Sequence, residues 1–598
     1  MYRAPVSEIA FALKNVAGMK QALDAGKLGD LTEDLVDAVL EEAGKFASER
    51  IAPLNPVGDK HGTPLKDGVV TTPPGWKDTY TDWYQSGWNA IAGPEEFGGQ
   101  GLPSMMAVAA SEMWNSACEA WSLNPLLTIG AIEALDKHGS EELKQKYLEK
   151  LVSGEWTGTM NLTEPQAGSD LAALKTRAEP AGDGTYRIFG QKIFITYGEH
   201  DMTDNICHLV LARLPDAPAG TRGISLFLAP KFLLNEDGTP GKRNDVFCQS
   251  VEHKLGIHGS PTCVMIYGDG WGKAETGEAG AIGWLIGEEN RGLNCMFTMM
   301  NNARLNVGIQ GVAIAEAAYQ HALAYAHERK QGKAPSYDGE GMAPIVHHPD
   351  VKRNLLTMKG MIRAARGICY STAHAIDMAK AAEREGDAEG AKFWSERASL
   401  LTPIAKAFST DIGVEVASIG VQIHGGMGFI EETGAAQFLR DSRINPIYEG
   451  TNGIQAIDLA VRKLPLSGGE ALKSLIGELR ETAEQVRGSN APEFGNTAAL
   501  LESALNEVEE TAAWLLKQIA DGKMDDALAG ATPFLRQFGL AAGAALLARA
   551  GINGDASQHA PLARFFAENF LAECSALKQT VTGGAESLAA AAALLEAV

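Results

Sequence analysis

Apolar residues spaced three and four apart dominate residues 1–157 and predict a helical region. From Leu31 to Lys45, in TEDLVDAVLEEAGKFASERIAPLN, the pattern predicts an amphipathic helix with a threonine cap. A Pro/Gly-rich stretch from Pro53 to Gly75 interrupts it; MMAVAASEMW, NPLLTIGAIEALDKHG and SEELKQKYLEKLVSGE then read as helices. The period changes near Gly158. Short β-rich runs, YRIFGQKIFITYG, NICHLVLARL, RGISLFLAP and TCVMIYGDGW, are separated by turn clusters such as AGDGTY and NEDGTPGKRN. Strand and helix do not alternate here, which disfavours a Rossmann sheet and predicts an antiparallel sandwich or barrel over 158–284. Helical periodicity returns over 285–465. LPLSGGE breaks it, and 466–598 is a further helical region rich in Ala and Leu. The expected fold is mainly α with a central β domain: a helical N-terminal domain, a β middle domain, a helical bundle and an additional helical domain.

A chain of 598 residues is too long for one core, which fits this division. The net charge of −23 argues against nucleic acid and anionic membrane surfaces, which select for basic patches. The tail from Leu466 carries nine Lys/Arg against seventeen Asp/Glu. Seven scattered cysteines without a CxxC motif point to a reducing compartment and neither to disulfides nor to a metal site. No apolar run is long enough to span a bilayer, and MYRAPVSEIAFALKNVAG lacks the features of a secretory signal, so a cytoplasmic location is expected.

Several stretches combine glycine with groups suited to a ligand. MNLTEPQAGSD places Thr163 and Ser169 among small residues at the start of the β block. A ligand loop and an ordinary helix-to-strand turn both fit it. FITYG ends a strand with Phe194 and Thr196 two positions apart, suited to cover a flat ring or to pack a core. HGGMGF closes a helical pattern, either as a plain glycine stop or as a close backbone approach to a phosphate. His424 has no metal-ligating neighbour at helical spacing and reads as structural. Arg329, Lys330 and Lys333 gather at a helix end, where the helix dipole and a phosphate would both favour them. In INPIYEGTNGIQ, Glu449 stands alone in an apolar bend. Lost hydration would raise its pKa toward that of a useful base; a solvated residue ahead of a helix cap fits the stretch equally.

Taken together and in order, these stretches resemble the acyl-CoA dehydrogenases. LTEPQAGSD is similar to that family's LTEPxAGSD, FIT to its [WF]IT, and KLGIHGSPT to its KLGIRGSxT. QIHGGMGF is similar to its QxxGGxGF, and RDSRINPIYEGTNGIQ to its RDxRIxxIYEGTxxIQ. The resemblance covers Leu31 to Leu464 and implies FAD as cofactor. It implies that Glu449 removes the α-proton of an acyl-CoA thioester while a hydride leaves the β-carbon for the flavin. The thioester oxygen would be held by the Glu449 amide and a flavin hydroxyl. Met160, Leu162, Thr163, Phe194 and Thr196 match positions beside the flavin ring, and Ser169 a position contacting flavin phosphate or pantetheine. Arg329, Gln422 and Gly426 match cofactor contacts made by a neighbouring subunit, which implies a homodimer. By the same matching, Thr451 would touch the cofactor, and Arg304 and Gly450 the substrate.

His258 stands where the family has arginine, and Gly453 where it commonly has glutamine. The N-terminal MYRAPVSEIAF and the long tail resemble a large bacterial subgroup, which implies 3-(methylthio)propanoyl-CoA as substrate and an electron-transfer flavoprotein as acceptor. Another fatty acyl-CoA, or an oxidase reoxidised by O₂, is the alternative.

Overall fold

The computed structural model describes residues 1–270 and 274–596, with 299–301 by backbone alone. The chain forms two compact units, one of residues 45–103 and 117–303, the other of 1–44, 104–116 and 304–598.

The first unit is built on an eight-stranded sheet. Its strands are β1 (Thr157–Asn161), β2 (Arg177–Pro180), β3 (Tyr186–Thr196), β4 (Ile206–Arg213), β5 (Ile224–Pro230), β6 (Val246–Val251), β7 (Thr262–Tyr267) and β8 (Ala281–Ile286). The order is β6-β7-β3-β8-β5-β4-β1, with β2 beside β3 and β4. Pairing is mainly antiparallel, as the turn-separated runs predict; β1 runs parallel to β4. ISLFLAP is buried along its whole length and ICHLVLAR everywhere but its terminal arginine, which explains their unbroken apolar character. One core gathers Leu209 and Leu228 with Leu148 and Leu151 of the helix Glu141–Ser153. The Pro/Gly-rich stretch that interrupts the helical pattern contains a short helix, Leu54–His61, and a two-strand hairpin.

The β3 strand is irregular where the sequence predicts chemistry. Cys263 pairs with Ile195 but Met265 with Lys192, so two residues of β3 bulge opposite one of β7. Phe194 sits in that bulge at φ 60°, and Tyr197 follows at φ 51°. Such left-handed backbone costs free energy in a non-glycine residue and persists only when its surroundings impose it. The Tyr197 hydroxyl supplies part of that constraint: it accepts from Trp76 Nε1 at 3.0 Å and donates to the Ala120 carbonyl at 2.7 Å.

The second unit is helical. It contains most of α1 (Glu33–Phe46) and of α2 (Gly292–Glu328), and the long antiparallel pair α3 (Pro349–Glu385) and α4 (Ala388–His424). Thr32 caps α1 through Leu35 N at 3.3 Å, as its position predicts. Next come α5 (Ala435–Ser442) and α6 (Asn452–Ile457), then the tail: α7 (Glu470–Ser489), α8 (Thr497–Ala520), α9 (Met524–Asn553), α10 (Ala556–Phe570) and α11 (Ala572–Thr582). The small residues of GLAAGAALLARA let α9 lie close against the bundle. A Cβ on Gly539 would stand 2.4 Å from the Phe408 ring, and one on Gly543 2.7 Å from Ala364 Cβ. The charged stretches leave the tail's outer faces polar, while Phe534, Phe538 and Leu547 are buried.

A buried ion network ties four segments of this unit. Arg366 is 1% exposed. It donates to Glu112 at 2.6 Å and to Glu316 at 2.9 Å, while the Tyr370 hydroxyl donates to Glu112 at 2.6 Å. Glu8 of the N-terminal extension lies 3.9 Å from the same guanidinium. Removing one partner of such a network strands the others without compensation. Arg366→Met is therefore expected to lower unfolding free energy by about 3–5 kcal/mol, read by chemical denaturation.

Candidate active site

In the β unit, the residues singled out on β1, its following loop and β3 come together. Ile193 N donates to the Thr163 carbonyl at 2.9 Å, and Thr159 Oγ1 to the Thr196 carbonyl at 2.7 Å. Met160 is buried, and Leu162, Thr163 and Thr196 are half-buried. Phe194 is 59% exposed, held outward by its bulge. Among the described residues, neither the Thr163 nor the Thr196 hydroxyl has a protein partner. Ser169 is exposed, one residue before Asp170, which caps the turn Leu171–Ala173.

The loop carrying Thr163 is fixed by a pair that the motif comparison passes over. Glu164 accepts from Lys175 N at 2.7 Å, Thr176 N at 3.0 Å and Lys192 Nζ at 2.9 Å. Lys192 Nζ also donates to the Leu162 carbonyl at 3.0 Å. Burial works to raise the Glu164 pKa, but the ammonium and the hydrogen bonds prevail and hold it at about 2. Burial pulls Lys192 down to about 8 against the pull of Glu164. His258, at the family's arginine position, spans Asp59 Oδ1 at 2.9 Å and the Lys254 carbonyl at 2.9 Å.

In the helical unit, Glu449 lies in the turn between α5 and α6 at φ 53°, followed by Gly450 at φ 84°. Two consecutive left-handed residues reverse the chain tightly, and only glycine takes the second without a clash: a Cβ there would stand 2.7 Å from Gln455 Nε2. Gln455 Nε2 donates to the Glu449 and Gly450 carbonyls at 3.3 and 3.4 Å. Thr451 is the N-cap of α6, accepting from Ile454 N at 3.3 Å. Upstream, the Tyr448 hydroxyl donates to Gln310 of α2 and to Asn445 at 3.1 Å. Among the described residues no acceptor meets the backbone N–H of Glu449.

The electrostatics of the turn are specific. Lost hydration raises the Glu449 pKa above the ordinary carboxylate value, and the cations Arg304 and Lys406 oppose the rise. Arg304 is buried on α2, 3.1 Å from Asp458 Oδ2. Lys406 is buried on α4, its Nζ donating to Asn452 Oδ1 at 2.8 Å. Motif matching misses Lys406 and Asn452. A lysine within the apolar run PIAKAF is the one signal that would have drawn attention to it.

The third set stands at the ends of α2 and α4. His424 stacks on His321 at 4.7 Å and on Tyr325 at 4.4 Å, and its Nδ1 meets the Gly420 carbonyl at 2.7 Å, a structural role. Arg329 follows one turn beyond Tyr325, and Gln422 and Gly426 lie two residues either side of His424. All three are exposed, and a Cβ on Gly426 would meet nothing within 4 Å. Met427, Phe429 and Ile430 beside them are exposed, Phe429 by 86%. Among the described residues no helix is long and apolar enough to cross a membrane.

Family models match almost the whole chain. The acyl-CoA dehydrogenase N-terminal domain matches residues 34–155, the middle domain 159–269 and the C-terminal domain 290–464. An acetyl-CoA dehydrogenase C-terminal-like domain matches 475–592. The chain belongs to the acyl-CoA dehydrogenase family and has its fold, with extra helices after the bundle. Among its relatives, the 3-methylmercaptopropionyl-CoA dehydrogenase of Ruegeria pomeroyi is 45% identical, over 98% of this chain and 99% of that protein. A butyryl-CoA dehydrogenase of Syntrophomonas wolfei is 35% identical over 86% of this chain and 84% of its own. Among solved structures, ACDH-11 of Caenorhabditis elegans in complex with C11-CoA aligns with a TM-score of 0.78 at 20% identity, covering 96% of this chain and 92% of its own. An acyl-CoA dehydrogenase of Bacillus anthracis complexed with FAD aligns with 0.72 at 21%, covering 97% and 92%.

The family works with FAD, and the β unit fits such a group. A flat ring system needs an accessible aromatic or apolar face with hydroxyls at its edge; exposed Phe194 and the unpartnered hydroxyls of Thr163 and Thr196 provide both.

Because the folded pKa of Glu164 is depressed, its contribution to stability is present above the ordinary value of 4.5 and is lost as pH falls toward about 2. The difference in unfolding free energy between the wild type and Glu164→Gln is therefore expected to shrink over that window in acid denaturation series. A difference that stays constant across it would contradict the assignment.

Proposed function

We propose that the chain oxidises an acyl-CoA thioester across its α,β bond with Glu449 as the base. The observation that carries this reading is the setting of Glu449: a half-buried carboxylate in a left-handed turn, with raised basicity, two cations nearby and a free backbone N–H. A base with a raised pKa accepts a carbon-bound proton more readily. The Glu449 N–H would donate to the thioester oxygen and stabilise the enolate charge that develops as the α-proton leaves. Gly450 keeps the turn tight enough to present both groups, and Thr451 fixes where α6 begins. Bound FAD would supply the two-electron acceptor for the β-hydride. Met160, Leu162, Thr163, Phe194 and Thr196 would hold its ring, Ser169 its phosphate or the pantetheine, and Arg304 the substrate side.

For the substrate we infer 3-(methylthio)propanoyl-CoA, giving 3-(methylthio)acryloyl-CoA. The 45% identity to a 3-methylmercaptopropionyl-CoA dehydrogenase along nearly the full length of both chains supports it. An electron-transfer flavoprotein would reoxidise the enzyme. The exposed Met427, Phe429 and Ile430 support a homodimer in which Arg329, Gln422 and Gly426 reach the partner's cofactor. A cytoplasmic enzyme agrees with the seven free, buried cysteines.

Glu449→Gln is expected to keep FAD and lose turnover by roughly a thousandfold. Near-wild-type rates with methylthiopropanoyl-, butanoyl- and palmitoyl-CoA would end the reading, and the same panel on the wild type ranks the substrates. Phe194→Ala is expected to weaken FAD retention about tenfold, measured by flavin release on dilution; unchanged retention would remove Phe194 from the cofactor face.

A further inference from the structure

The buried lysine beside the catalytic turn has no structural task equal to its cost. Lys406 is fully buried, 0% exposed, in the middle of α4. An ammonium carries three donors, and here one is used, to Asn452 Oδ1 at 2.8 Å. Among the described residues Lys406 forms no ion pair. Burying a charge so weakly compensated is expensive. A methionine of similar length would fill the same space.

What the lysine does have is an address. Asn452 is the first residue of α6, directly after the Thr451 cap and three positions after Glu449. Its side-chain amide is clamped on its other side, donating to Asp411 Oδ1 at 2.7 Å and to the Ala407 carbonyl at 3.1 Å. The amide thus bridges α4 to the segment that begins at the base, and it orients Nζ. The charged groups facing Lys406 are Asp411 on its own helix, Glu449 on the turn and Arg304 on α2. Arg304 is already committed to Asp458, which also binds Arg462. Asp411 is offset by Arg536 of α9, and Glu415 lies near it.

We propose that Lys406 is a positioning residue for the proton abstraction: through Asn452 its ammonium is fixed near Glu449, where it favours the ionised, proton-accepting form of that carboxylate. This rests on the reading of Glu449 as the base. The step moves one proton from the substrate α-carbon to a Glu449 oxygen, and Lys406 gives up none. Desolvation raises the Glu449 pKa and so favours the protonated form, which cannot accept a proton. The ammonium limits that rise while leaving the base stronger than an exposed carboxylate. Burial lowers Lys406 itself to about 7, so its charge is present below that pH.

The sign of the effect is definite. Removing the ammonium raises the Glu449 pKa further, so the acid limb of kcat/KM moves to higher pH. In FAD-loaded enzyme with methylthiopropanoyl-CoA, Lys406→Met is expected to move that limb up by about one pH unit. Lys406→Arg is expected to return it toward the wild type. Lys406→Gln, which keeps a polar head for Asn452, should behave as Lys406→Met if charge is what matters. Flavin content and Tm are measured alongside. Folded, flavin-loaded Met and Gln variants with an unmoved limb would overturn the proposal, as would loss of fold in both, which would assign Lys406 a purely structural role. The reading of Glu449 fails separately, if Glu449→Gln turns over.

Discussion

A carboxylate that is to take a proton from carbon has to be held out of water yet not left without compensation, and the setting of Glu449 meets the constraint that its proposed role imposes. Glu449 loses hydration in the turn between α5 and α6, and Arg304 and Lys406 limit the consequence. Each support arrives on a different element: Arg304 on α2, Lys406 on α4, and the turn itself on Tyr448, Gly450 and Gln455. The long helices have to be in register for the three to meet. In the proposed mechanism the Arg366 network and the close approach of α9 at Gly539 and Gly543 would contribute indirectly, by fixing the bundle that carries Glu449.

The β unit meets a comparable demand differently. The proposed ring-binding face requires an apolar side chain to stay in the open, which the hydrophobic effect opposes. Phe194 is kept there by backbone geometry: a bulge and a left-handed φ, followed by Tyr197, whose hydroxyl is bonded twice in the core. The neighbouring loop is pinned by Glu164 and Lys192, a buried pair that also bonds the Gln166 side chain, the Lys175 and Thr176 amides and the Leu162 carbonyl. Strain and buried charge sit at the positions that must be exact, as expected of functional sites.

Much of this was legible in the chain itself. The switch from period 3.6 to short strands near Gly158 and back again marked the helical, β, helical order, because core-facing residues of helices and strands obey different spacings. The Thr32 and Thr451 caps followed from local chemistry. The bulge at Phe194 did not, since FIT reads as regular alternation and the extra residue appears only against β7. Neither did the break at Cys118 inside the helix Ser104–His138, nor the helix Leu54–His61 within a Pro/Gly-rich run, where tertiary packing overrides local propensity. Glu164 was visible as a letter of a motif, but its partner Lys192 lies on another strand. Lys406 and Glu449 are 43 positions apart, and only folding brings their helices together.

The fold raises the basicity of Glu449, with Arg304 and Lys406 opposing the rise. Its titration can be followed directly by difference infrared spectroscopy of the FAD-loaded enzyme, using the carboxyl C=O band that disappears in Glu449→Gln. A single band with a midpoint above 4.5, the ordinary value for glutamate, is expected. A midpoint at or below that value would show a solvated carboxylate, not a base whose pKa the fold has raised.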